Sequence, residues 1–452
     1  MIRNLSIILA LFAACLAGCD LATQPILTSS PEANPTTALA TTIIPGANAP
    51  VQTITPSNTP TLTPLPTPLL PTDTPIPTVI PLASPVTTLT TNCLTIAPAL
   101  PADSPAAGRL VLEVPRGIEY SGSNIWLDLE TGRITPIVNP ENIDRGGYIA
   151  SPNGQRLGYW EITLGGDGSY SAMSFVVADP TGQVLNKVPG DVEHWDAFYW
   201  LDNDQVVIGF YIEPMILDPI SGEAFNTTEW YAQSPGGMLE ISFKTWEANG
   251  SFDSWRTRIL YIMYDLSMVL WDLEAEQIVA TDPPVKIKAN LFHIPLSRPK
   301  WSPDNVQVVF AYPVSEESPL EQELYSLSRD GVLSRLTYLN EYYSQVEIKH
   351  FSWSPDGRYI AFFFEDLSEP DPVEQFAVLD ITTLEIKGYC NVSGKASASP
   401  DPVWSPYGNM VLVSQVENET TQNTILIDIV HDVAVLIAEG VIPGAWLVEN
   451  EP

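Results

Sequence analysis

The sequence predicts an all-β fold, a single seven-bladed β-propeller, over residues 93–452. Two separate counts and a closure argument lead there. A turn followed by an apolar run begins near residues 104, 151, 202, 250, 302, 354 and 405, in copies such as WSPDNVQVVFAY, WSPDGRYIAFFF and WSPYGNMVLVSQ. After each copy comes a second pattern that reads as strand, tight turn, strand: IWLDLETGRITPI from Ile125, VVADPTGQVLNKV from Val176, and further copies from Met215, Val269, Leu324, Ala377 and Ile425. Both counts give seven at a period of about fifty residues, the scale on which repeated units stack into propellers or solenoids. The chain ends in IPGAWLVENEP, where Trp446 stands as Trp404 does in a first strand but has no strands after it. The copy near Ser104 lacks that first strand, so pairing the two closes the ring and leaves no sheet edge open. Six blades is the alternative, because the copies at Leu201 and Glu247 are degenerate.

The turn words follow from backbone chemistry. In Ser354-Pro355-Asp356-Gly357 the proline presets φ at the first corner, the aspartate can bond back to the backbone, and glycine takes the positive-φ position. Trp353 before the turn and the YIAFFF run after it are β-prone and apolar, which predicts a hairpin with buried faces. Four strands per period match a propeller blade. The aspartates of these turns are therefore read as architectural, not catalytic.

Upstream of the repeats the chain changes character twice. Arg3 precedes an apolar run from Leu5 to Leu16, too short to span a bilayer and ending in small residues, the pattern of a secretory signal over residues 1–18. Residues 19–92 are rich in Pro and Thr, with Asp20, Glu32 and Asp73 as the only carboxylates. Proline removes backbone donors and biases its predecessor toward extended conformations. A semi-rigid polyproline II spacer results, expected to hold the head away from a membrane.

Two stretches carry family resemblances. Leu16-Ala17-Gly18-Cys19 resembles the lipobox of bacterial lipoproteins. The resemblance implies cleavage before Cys19, lipidation of its thiol and a membrane partner reached through that anchor on the extracytoplasmic face. The WSPDG words followed by strands of the Asp-x-x-Thr-Gly kind resemble the WD40-like, TolB-type β-propeller repeat of bacterial envelope proteins, most clearly at Trp301, Trp353 and Trp404. TolB itself carries a small α/β domain before its propeller, where this chain has the Pro/Thr tract. With Cys15 and Cys19 accounted for, Cys93 and Cys390 remain as a disulfide pair in an oxidising compartment, or else as two separate buried thiols.

Charge narrows the function. The chain carries 54 acidic and 20 basic residues, and all but Asp20, Glu32, Asp73 and Arg3 lie in the head. Such an acidic surface repels nucleic acid and anionic lipid. The four histidines, His194, His293, His350 and His431, form no zinc motif, and no G-x-S-x-G elbow occurs. No cofactor, metal or catalytic residue is assigned. The acidic loop from Glu365 to Glu374 holds five carboxylates without calcium-loop spacing and is read as solvated. Trp230, Tyr231, Phe252 and Trp255 fall in or beside loops and are the binding candidates. The expected function is a binding or scaffolding module for a protein, peptide or glycan; the alternative is a glycan hydrolase or lyase with carboxylates at the channel mouth.

Overall fold

The computed structural model describes residues 88–449, apart from 105, 116–122, 167–169, 191–197, 209–214, 227–247, 264–265, 282, 285–296, 371, 395–399 and 419–420. Seven sheets follow one another in chain order and form the seven blades of a β-propeller. Blades 2, 3, 4 and 5 span residues 143–190, 199–226, 248–280 and 300–335, each with four antiparallel strands. Blade 6 contains Val346–Trp353, Tyr359–Asp366, Glu374–Asp380 and Glu385–Gly394. Blade 7 contains Val403–Trp404, Met410–Asn418, Thr421–Asp428 and Val433–Glu439. Blade 1 is assembled from both ends of the head: the C-terminal strand Ile442–Leu447 pairs antiparallel with Arg109–Glu113, which continues into Ile125–Asp128 and Ile134–Pro136. First strands touch one another between blades 7 and 1, 1 and 2, 2 and 3, 4 and 5, and 6 and 7, which places them around the central axis.

Packing explains why the strands read as unbroken apolar runs. In the second strand of blade 6, Ile360, Phe362 and Phe364 point into the seam with blade 5, while Ala361 and Phe363 point into the seam with blade 7. A two-residue period with both faces buried leaves no polar position. Each of the seven seams holds its own buried cluster, including the two made by blade 1. The repeated tryptophan adds a polar link across the seams. The indole N–H groups of Trp200, Trp301, Trp353 and Trp404 donate to the carbonyls of Ile149, Ser251, Lys300 and Ser352 in the preceding blade, at 3.0, 3.0, 3.0 and 3.3 Å.

Three details depart from the sequence reading. Among the described residues the propeller begins at Thr88, inside the tract that composition assigned to the spacer. Thr88–Asn92 lies parallel to the fourth strand of blade 6, Thr88 opposite Glu385 and Asn92 opposite Tyr389, as a fifth, outermost strand. Cys390, whose LEIKGYC stretch reads in sequence as the outermost strand of the blade, therefore sits on the fourth strand with a fifth outside it. At the next register position Cys93 is joined to Cys390 by a disulfide, with the Cα atoms 5.0 Å apart. The chain then crosses to blade 7, buries Leu94, and adds Thr95–Ala97 parallel to Val433–Glu439. Ser104, past this strap, donates its hydroxyl to the buried Asp428 of blade 7. Finally, the blade 4 turn is Asp253–Arg258, later than the start near residue 250 expected from spacing. Asp253 replaces the usual serine and accepts the Arg258 N–H at 2.7 Å, as Ser354 Oγ accepts that of Tyr359 at 2.9 Å.

Candidate functional site

Antiparallel order puts the hairpins that join strands one to two and three to four of every blade at one end of the disc, here called the turn end. Connections between blades, and between strands two and three, lie at the opposite, loop end.

At the turn end the WSPDG words close on themselves. Ser354 Oγ donates to Asp356 Oδ1 at 2.6 Å, which also accepts the Arg358 N–H at 3.1 Å, and Gly357 donates its N–H to the Ser354 carbonyl at 2.9 Å. Gly357 has φ of 70°, and Asn305 takes the same conformation at 58° in the blade 5 copy. Neighbouring turns interlock: Asn305 Oδ1 accepts the Ser254 N–H at 2.9 Å, and Asn203 Oδ1 accepts that of Asn153 at 2.8 Å. In the outer hairpins Asp128, Asp179, Asp218, Asp272, Asp380 and Asp428 each accept backbone N–H groups two to four residues ahead. Hydrogen bonds from the Thr131 backbone and side chain hold the Asp128 carboxyl below its usual range. These aspartates shape turns.

Among the binding candidates the structure separates the two in blade 4. Phe252 is not a surface residue: it ends the first strand at 2% exposure and packs in the seam between blades 3 and 4. A β-strand buried on both faces absorbed the aromatic that sequence placed beside a loop. Trp255, three residues on, projects from the turn at 58% exposure with the Arg329 guanidinium 4.5 Å from its ring centroid. Trp230 and Tyr231 lie outside the described residues.

At the loop end, blade 6 carries a charge cluster that sequence reasoning missed. The pairing of its first two strands skips from Ile348–Phe364 to Phe351–Phe362, so Lys349 and His350 bulge opposite Phe363. A bulge re-aims side chains. Lys349 Nζ lies 2.6 Å from Glu365, 3.4 Å from Glu347 and 3.9 Å from Glu374. Desolvation opposes its charge, but the hydrogen bond to Glu365 and the three carboxylates raise its pKa. Glu374 is buried at 2% exposure, and neither of its oxygens has a hydrogen-bond partner among the described residues. Desolvation pushes its pKa up to about 7 against the pull of Lys349 and His350. Next to this cluster, Asp401 of blade 7 accepts from Lys300 of blade 5 and lies 3.6 Å from His350. Desolvation opposes the charge of Asp401, but Lys300 and His350 outweigh it and hold the carboxyl well below its ordinary range. The sequence signal was a set of charges inside otherwise apolar strands, Glu347 and Lys349 on one strand and Glu365 and Glu374 on two others.

The acidic loop is thus divided. Glu365 and Glu374 turn inward to Lys349, and Asp366 accepts Ser368 Oγ at 2.7 Å and the Gln345 N–H at 3.2 Å. Among the described residues no group of three or more His, Cys, Asp or Glu side chains is arranged to hold a metal ion.

Glu374 gives a testable pH dependence. Its folded pKa lies above the ordinary 4.5, so its contribution to stability is fully present below pH 4.5 and is lost as pH rises through about 7. The Glu374→Gln chain, neutral at every pH, is expected to gain on the native chain across that window by up to about 3 kcal/mol. Urea denaturation at pH 4.5 and pH 8 measures the difference; an equal gap at both values refutes the raised pKa.

Comparison with known proteins returned structural likeness only. No family model matches the chain, and no curated protein matches it. Solved structures similar to it include an oligogalacturonate lyase in complex with manganese, at 14% identity over 74% of this chain and 86% of that one, TM-score 0.44. The β-propeller domain of Cps50 (Swd1) from Myceliophteria thermophila matches at 11% identity over 72% and 98%, TM-score 0.44. TolB from Acinetobacter baumannii matches at 14% identity over 77% and 89%, TM-score 0.39.

Proposed function

We propose that this chain is a membrane-tethered, extracytoplasmic binding module whose propeller presents a surface to a protein or glycan. Among the described residues, the blade 6 carboxylates at the loop end carry the choice of binding over catalysis. A glycan hydrolase or lyase needs an acid and a base that reach the substrate. Glu374 has a pKa suited to a general acid, yet it is buried; Glu347 and Glu365 beside it are closed around Lys349, and Asp401 is held ionised by Lys300 and His350. At the opposite end an indole stands in solvent on a fixed guanidinium, an arrangement suited to binding.

The tether rests on the lipobox-like Leu16–Cys19 and the Pro/Thr tract after it. Cys19→Ala, in a bacterium that processes lipoproteins, is expected to abolish palmitate incorporation and release the chain from membranes. Label retained in that variant rules the tether out. For the head, the full chain in detergent is expected to form a saturable cross-link to an envelope component and to release no reducing ends from envelope polysaccharide. Reducing-end release that Glu374→Gln abolishes overturns the binding reading in favour of an enzyme.

A further inference from the structure

The Trp255–Arg329 stack is held in place from below. The Arg329 guanidinium donates to the buried Asp253 carboxylate at 2.5 Å, to Thr257 Oγ1 and to the Asn305 carbonyl at 3.4 Å, with the Trp301 ring 5.9 Å away. Val306 and Val332, 54% and 64% exposed, adjoin it. The Arg329 N–H bonds the Val306 carbonyl at 3.0 Å, and the Val332 N–H bonds Ser328 Oγ in the same hairpin at 3.0 Å. One exposed indole and two exposed isopropyl groups therefore stand on neighbouring hairpins of blades 4 and 5, a platform braced through Arg329.

We propose that this platform is a docking surface for a protein segment that presents an apolar side chain flanked by lysine or arginine. The inference rests on the binding-module reading and gives it a place and a partner chemistry. Rigidity favours docking, because an anchor already fixed by its neighbours loses little conformational freedom on binding. The rim selects the flanking charge: four exposed carboxylates, Glu274 and Glu276 in the outer hairpin of blade 4 and Asp304 and Asp330 in the two hairpins of blade 5, outnumber the exposed Arg256 of the Trp255 turn. Complementary charge steers association and rejects acidic partners. The neighbouring polar side chains favour a protein over a glycan, since they are engaged with one another. Asn305 Nδ2 donates to Ser254 Oγ at 2.6 Å, Thr257 Oγ1 donates to Asp253 at 3.0 Å, and Ser302 Oγ donates to Asp304 at 2.5 Å. A sugar ring on the indole would find these hydroxyl and amide groups already bonded and only the rim carboxylates left to accept from it.

A random peptide library displayed on phage, panned against the full chain in detergent with the Trp255→Ala chain as counter-selection, tests this. Recovered peptides are expected to share an apolar residue flanked by Lys or Arg. As synthetic peptides they are expected to bind the native chain about 30-fold or more tighter than the Trp255→Ala or Val306→Asp chains. Val138→Asp, at the loop end, is expected to leave binding unchanged, and melting temperatures verify that each variant folds. Peptides held equally by the Trp255→Ala chain show binding elsewhere and overturn the inference while sparing the binding-module reading. An acidic or uncharged consensus overturns the partner chemistry. Trp255-dependent binding of neutral oligosaccharides makes the platform a glycan site and likewise overturns it. Failure to enrich any peptide also overturns it, and the broader reading then stands or falls on the envelope cross-link.

Discussion

A chain truncated after Val441 is expected to lose the folded propeller, not merely its last strand. Ile442–Leu447 supplies the first strand of blade 1, and Ala445, Trp446 and Leu447 are all at 1% exposure or less. Trp446 packs into the seam with blade 7, while Ala445 and Leu447 pack into the seam with blade 2. The Trp446 indole also donates to the Ala107 carbonyl at 3.0 Å. Removing the strand opens two seams at once and bares the Arg109–Glu113 edge. Replacing one buried tryptophan by alanine costs about 3–5 kcal/mol, and a whole domain is stable by only about 5–15 kcal/mol. Trp446→Ala is therefore expected to be severely destabilised and the truncated chain unfolded by circular dichroism. A synthetic peptide covering residues 440–452 should restore the fold in trans. A truncated chain that unfolds cooperatively at the native urea midpoint would show that blade 1 does not hold the ring.

Much of this architecture is legible in the sequence, for a reason particular residues show. Tight turns demand specific chemistry: proline where φ is preset, glycine where φ is positive, and serine or aspartate whose oxygen accepts a nearby N–H. Those demands recur in most blades, so the copies could be counted and the closure at Trp446 anticipated. The blade 4 turn stayed blurred because Asp253 does the work of serine and Arg256 takes a positive φ of 59° without glycine. The outer strands were hidden for a different reason. TLTTN at Thr88 has the composition of the spacer before it, and its partner Glu385 lies about three hundred residues away with no local pattern to link them. The Lys349 cluster depends on three strands meeting and on a bulge, neither of which is a property of any short stretch. Phe252 and Trp255 make the same point three residues apart. Both are aromatics near a turn, and only the end of the strand between them decides that one is core and the other surface.

The disulfide yields the other large effect. Cys93 and Cys390 are separated by 297 residues and joined where the parallel strand Thr88–Asn92 ends. Cross-linking so distant a pair removes conformations chiefly from the unfolded chain, a contribution of about 5 kcal/mol on the loop-entropy account. Its folded-state effect is local. Two short edge strands, Thr88–Asn92 and Thr95–Ala97, flank the bridge, and three or five ladder positions give each little hold of its own. The double variant Cys93→Ser/Cys390→Ser is expected to keep a propeller, since all seven seam clusters are built almost wholly from blade residues, with Leu94 the one buried contribution of the strap. It is expected to unfold at markedly lower urea concentration and to be indifferent to reductant, whereas the native chain shifts to the same midpoint when reduced. Amide exchange should locate the loss, with residues 88–97 exchanging rapidly in the variant while Phe362 and Phe376 in the blade 6 core stay protected. An unchanged midpoint under full reduction would mean that the strap adds nothing to the ring; loss of protection throughout blade 6 would mean that the bridge holds the blade itself together.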